Sequence, residues 1–235
     1  MTLPATPSRA RASVQRPSRS TATAITYIER PTEQAGREGK LVFRVPRSAR
    51  LWLKSGSAEM DVVGVTGGLD LNVGGGSITV HGNPHEVRAE SMDGSVTIDG
   101  VPDWVRAKTA FGDITMNGAR DVGASTISGT IRSSGGQVER VKLETTTGAI
   151  SFANGMTPNA SVELETHSGP IDVTVGGEAE IDAATITGAI DNQWTKAQPV
   201  PGREGRGMTL STASGIGGGK ITIRSFKGTV QLHAK

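Results

Sequence analysis

Val87-Arg-Ala89-Glu-Ser91-Met-Asp-Gly94-Ser-Val96-Thr-Ile98 is followed at once by a second copy of its own pattern. That copy reads Val105-Arg-Ala107-Lys-Thr109-Ala-Phe-Gly112-Asp-Ile114-Thr-Met116. The two agree at the apolar positions, at the hydroxyl and at the glycine, and differ mainly between them. Working outward, the glycine anchor recurs at Gly56, Gly76, Gly129, Gly148, Gly169, Gly188 and Gly228. From Gly56 to Gly188 the anchors lie 20, 18, 18, 17, 19, 21 and 19 residues apart. Internal repetition at such a period marks a stack of like units.

Inside each unit, apolar and polar residues alternate with period two, the pattern of a strand with one buried face. Seven residues before the glycine stand Leu69, Val87, Val105, Val122, Val141, Val162, Ile181 and Ile221. Three before it stand Ser91, Thr109, Thr126, Thr145, Thr166, Thr185 and Ser225. Each unit is therefore strand, glycine turn, strand, turn. A meander of hairpins pairs non-equivalent positions, whereas a coil stacks equivalent ones about 4.8 Å apart. Identical columns select the coil. The fold read here is all-β: a single-domain parallel β-solenoid (β-helix) of about eight coils with an N-terminal β-hairpin cap. Ile78, Val96, Ile114, Ile131, Ile150, Ile171 and Ile190 should form one inward stack, with the hydroxyls bonding to one another along their column.

Residues 1–22 are rich in Ser, Thr, Pro, Ala and Arg without apolar periodicity, and read as a disordered basic leader. Residues 23–48 hold two strand-like segments separated by turn signals, and read as an N-terminal strand pair that caps the first coil. The solenoid occupies 49–235, interrupted at 193–219 by an inserted loop or hairpin.

Glycine supplies 32 of 235 residues and aromatics only 3%, which suits many turns around a narrow core of small branched side chains. There is no cysteine, so neither a disulfide nor a Cys-based metal site is available. The formal charge is +2. Arg9, Arg11, Arg16 and Arg19 put four positive charges into the leader, so the body sums to −2 and gives no ground for a specific nucleic-acid partner. No apolar run reaches the roughly 18 residues of a transmembrane segment. The stretch from Ala22 to Ile28 is too short and polar for an export-signal core.

No nucleophile motif stands in a strand–turn–helix setting, and His81 and His85 lack metal-ligand partners at suitable spacing. The catalytic and cofactor expectation is therefore none. The only acid candidates are Asp172 with Asp191, and Glu163 with Asp182, which a sequential stack puts on successive rungs. Such columns suit a divalent cation or acid/base chemistry on a polysaccharide. The preferred reading of the same columns is a solvated acidic face that deters lateral aggregation. Trp52 should point outward from its coil, between Leu51 and Leu53.

The unit V-x-A-x-[ST]-x-x-G-x-[IV]-x-[IV] resembles a bacterial family of β-strand-repeat (β-solenoid) domains of unknown function that carries an adhesin label. The entry stretch RVPRSARLWLKSGS (Arg44–Ser57) and the closing stretch GIGGGKITIRSFKGTVQL (Gly215–Leu232) resemble it too. The resemblance implies a non-catalytic, adhesin-like scaffold or interaction module at the cell envelope or surface, a monomer or weak homo-oligomer. Its partner would be a protein or a cell-surface glycan. A self-assembling β-helical scaffold and a polysaccharide-binding or polysaccharide-processing β-helix are the alternatives. With no export signal visible, a cytoplasmic location stands beside the envelope one.

Overall fold

The structure, a computed structural model, describes residues 11–14, 24–28, 40–202 and 205–235. The strands in chain order begin with β1 (Arg11–Val14), β2 (Ala24–Ile28), β3 (Lys40–Phe43), β4 (Arg50–Ser57), β5 (Glu59–Val63), β6 (Gly68–Gly75) and β7 (Ile78–His81). They continue with β8 (Glu86–Asp93), β9 (Val96–Asp99), β10 (Trp104–Thr109), β11 (Ile114–Asn117), β12 (Asp121–Thr126), β13 (Ile131–Thr145) and β14 (Ile150–Thr166). The last are β15 (Ile171–Val175), β16 (Ala179–Thr185), β17 (Ile190–Asn192), β18 (Val200–Pro201), β19 (Met208–Ser214), β20 (Gly219–Ser225) and β21 (Val230–Ala234).

These strands form a parallel β-solenoid of about seven turns. Alternate strands belong to two faces. The first face stacks β4, β6, β8, β10, β12 and the second halves of β13 and β14. The second face stacks β5, β7, β9, β11 and the first halves of β13 and β14. Equivalent positions stand opposite one another, as in Val87↔Val105, Ala89↔Ala107 and Ile114↔Ile131. The inward side chains are buried on both faces, and fully burying each Val or Ile is worth about 1.5–3 kcal/mol.

The glycine column has a steric cause. A Cβ on Gly94 would run into the carbonyl of Gly76, one on Gly112 into Gly94, and one on Gly129 into Gly112. The same holds for Gly148 on Gly129 and Gly169 on Gly148. The hydroxyl column does not bond to itself, as its identity along the stack suggests it should. Thr109 Oγ1 accepts from the Gly112 N–H (3.1 Å) and donates to the Gly94 carbonyl of the neighbouring rung (3.1 Å). Ser91 donates to Gly76 (2.9 Å) and Thr126 to Gly112 (3.3 Å) in the same way. The hydroxyl lies beside the glycine turn, so the turn's carbonyl is nearer than the next hydroxyl.

Both ends depart from sequential stacking. The strands of residues 23–48 do not form a hairpin: β2 pairs parallel with β4, and β3 pairs parallel with β1. Consecutive strands of a coil lie on opposite faces and cannot be ladder neighbours. Within the leader, Arg11–Val14 form β1, which sits between β3 and β5; the rest of residues 1–22 lies outside the described residues.

At the other end, β20 lies between β14 and β16, and β21 lies between β15 and β17. The last coil in sequence is therefore the last but one in space. The glycine column follows the same order, since a Cβ on Gly228 would meet Gly169 and one on Gly188 would meet Gly228. The inward stack accordingly reads Ile171–Val230–Ile190, not Ile171–Ile190. Between 193 and 219 the chain makes the β18–β19 hairpin. Strand β19 runs antiparallel to β16 and buries Leu210 over that end of the core.

Gly112→Ala is expected to lower stability by roughly 1–3 kcal/mol, the usual cost of forcing volume into a packed site, in urea unfolding followed by circular dichroism. Gly56→Ala, whose Cβ would meet nothing within 4 Å, should change it by less than about 0.5 kcal/mol. Equal losses would contradict the steric account of the column.

Candidate functional site: a ridge and groove along one corner

The interleaved coil takes apart the acid pairs of a sequential stack. Gln231 stands between Asp172 and Asp191, and Thr222 between Glu163 and Asp182. Each pair is two rungs apart, about 9.6 Å, too far to share one cation. Each acid also has its own partner. His233 Nε2 lies 3.8 Å from Asp172, and Gln193 donates to Asp191 (2.9 Å). Lys142 Nζ lies 3.8 Å from Glu163, and Arg224 Nη2 lies 3.5 Å from Asp182. Among the described residues, no cluster of His, Asp and Glu is placed to hold a metal ion.

The outer first face is a mixed-charge surface. Asp121, nearly buried, binds Arg106 (3.0 Å) and Arg140 (2.7 Å), while the Arg106 guanidinium lies 4.4 Å over the Trp104 ring. The hydrogen bonds that Lys142 donates to Glu144 and Lys220 donates to Glu180 hold both amines above the ordinary lysine pKa. Trp52 is 45% exposed between buried Leu51 and Leu53, and Trp194 packs against the core end.

The most developed surface feature lies where the first face turns into the glycine corner. The turn residues two before each glycine form a parallel ladder of their own. Its bonds include Thr147 N–H to Ile127 O, Ser168 N–H to Thr146 O, Lys227 N–H to His167 O and Thr187 N–H to Phe226 O. Their side chains make the column Met92–Ala110–Ile127–Thr146–His167–Phe226–Ile186. Met92 (64% exposed), Ile127 (54%) and Ile186 (48%) stand in water, with Phe111 (64%) beside Ala110. An open groove of about 710 Å³ runs along this ridge, lined among others by Ile127, Glu144, Glu165, His167, Arg224 and Phe226.

Within the groove the His167 and Phe226 rings stack at 4.8 Å between centroids, 8° from parallel. The two rings cover one face of each other, and Lys227 Nζ lies over the Phe226 ring at 5.9 Å from its centroid. A sugar platform needs an open ring face. The residue columns point elsewhere, to an apolar ridge flanked by charges. Reading each repeat at its inward positions overlooked this ridge. Its signal was nevertheless in the sequence, as large apolar residues at the same turn position: Met92, Ile127, Ile186 and Phe226.

The family model described as Toastrack DUF4097 matches residues 102–200, less than half of the chain. Over that stretch the protein is similar to a β-solenoid-like repeat family of unknown function. The match takes in the coils on either side of the interleaved one and stops before β19. No curated protein and no solved structure matches.

Thr222→Glu would put three carboxylates on neighbouring rungs, and like charges directly opposite one another are unfavourable by roughly 0.2–1 kcal/mol. It is expected to lower the urea midpoint at low salt, while Thr222→Lys leaves it unchanged or raises it. Equal effects of the two substitutions would contradict the interleaved order.

Proposed function

We propose that the protein is a non-catalytic interaction module, a rigid solenoid scaffold that presents its corner ridge and groove to a macromolecular partner. The exposed ridge carries this reading. Aromatics make up only 3% of the chain, yet two of its four phenylalanines, Phe111 and Phe226, lie on this one corner. Exposed apolar residues gathered along one edge mark an interaction surface rather than the scattered exposure of an ordinary one. The stacked turns hold them at a fixed spacing, so little ordering entropy is lost on docking.

Two further observations support a binding role over a chemical one. His167, the histidine of the groove, stacks on a ring instead of pairing with an acid. The four acids singled out by the sequence are engaged with neighbours and stand apart. The likeness to an adhesin-labelled family supports the finer reading of a surface-associated module. The antiparallel strand β19 speaks against an endless filament, because an antiparallel rung offers the next copy no parallel template.

A photo-crosslinking residue placed at Ile127 or Ile186 in living cells should give adducts of discrete mass. The same residue at Thr97, on the second face, should give none. The adducts should disappear when Phe226→Asp is added. Adducts of equal yield at all three positions, or at none, would overturn the reading.

A further inference from the structure

The column of outward residues beside the ridge has a charge order that matches its own reverse. In spatial order it reads Asn72, Glu90, Lys108, Ser125, Glu144, Glu165, Arg224 and Ala184. We propose that this corner docks a second copy of the same chain, across a two-fold axis parallel to the strands between the rungs of Ser125 and Glu144. The proposal rests on the reading of the corner as an interaction surface and names its occupant.

Such an axis reverses the order of rungs and keeps each column opposite itself. Lys108 then meets Glu165 of the second copy, Glu90 meets Arg224, and Ser125 meets Glu144. Every charged pairing joins opposite signs or a carboxylate with a hydroxyl donor. The register is selective. Moving the axis half a step, onto Ser125, sets Glu90 against Glu165. Moving it half a step the other way, onto Glu144, sets that carboxylate against its own copy and Lys108 against Arg224. Like charges across an interface cost several kcal/mol and exclude those registers.

The ridge obeys the same symmetry. Ile127 meets Thr146, Ala110 with its neighbour Phe111 meets His167, and Met92 meets Phe226, a sulfur–aromatic contact. Among the described residues Lys108 and Glu165 form no ion pair within 4 Å in the chain, whereas Glu90 accepts from Asn72, Glu144 from Lys142 and Arg224 lies toward Asp182, so Lys108 with Glu165 is the contact that displaces no salt bridge. Eight rungs span seven steps, about 34 Å. A strip of that length and about 14 Å wide covers on the order of 500 Å² per copy, at the low end of specific interfaces. The expected dimer is therefore reversible.

Sedimentation velocity of the purified chain should show its 24.3 kDa mass doubling with concentration. The dissociation constant should be in the micromolar range and rise about tenfold between low and high salt. Lys108→Glu should raise it at least about tenfold, because the contact occurs twice in the dimer. Adding Glu165→Lys should restore it to within about threefold of the starting value. A chain that stays monomeric at about 200 µM, or a double reversal that restores nothing, overturns the proposal. A monomer that still crosslinks through Ile127 to a different protein overturns the dimer alone; loss of both overturns the interaction module as well.

Discussion

At every glycine corner from Gly76 onward, one rung's backbone lies so close to the carbonyl of its neighbour that no Cβ fits between them. The rest of the solenoid depends on this approach. It lets the chain turn sharply enough for the two faces to share a core one side chain deep. It also brings the Ser or Thr three residues earlier within reach of the neighbouring rung's carbonyl. The hydroxyl thus satisfies turn groups that the strand ladders leave unpaired, as Thr109 does between Gly112 and Gly94. Glycine and hydroxyl form one device, with the first removing a clash and the second occupying the hydrogen-bonding position that results.

The same column accepts coils out of chain order. Gly228 fits between Gly169 and Gly188 as well as any consecutive glycine would, because the steric requirement is identical at every rung. Charge then favours one arrangement. Stacking residues 161–166 directly on 179–185 would set Glu163 on Asp182. The interleaved coil instead brings Lys220 against Glu180 (2.8 Å) and Arg224 toward Asp182. At the other end β1 is interleaved as well, between β3 and β5. Strand β1 and the last coil are thereby held inside the stack instead of being laid on top of it.

This order sets the acid candidates apart. Asp172, Asp191, Glu163 and Asp182 do share columns, as their positions relative to the glycine require, but adjacency in a column depends on which coil is next in space. Taken as successive rungs, Glu163 and Asp182 form a like-charge column with no basic residue between them. That conflict was itself a sign that another coil belonged there, and Lys220 and Arg224 were the bases in reach. The ridge was legible in principle, through large apolar residues repeated at one turn position. A search for buried faces passes over it, since those residues are conspicuous only for being outside.

Period, glycine spacing and alternation in the sequence were enough to determine the coil, its two faces, its inward columns and the outward direction of Trp52. These are local consequences of strand geometry and hold for each repeat taken alone. Only the tertiary structure decided the order of the coils at both ends, the parallel partners of β2 and β3, and the hydroxyl-to-carbonyl bonds of the corner. The physical reason is degeneracy. Repeats built alike can stack on one another in nearly any order with the same ladders and the same core, so the choice falls to weaker terms, chiefly charge between neighbouring rungs and the reach of the connecting chain, that act only once the whole stack is assembled.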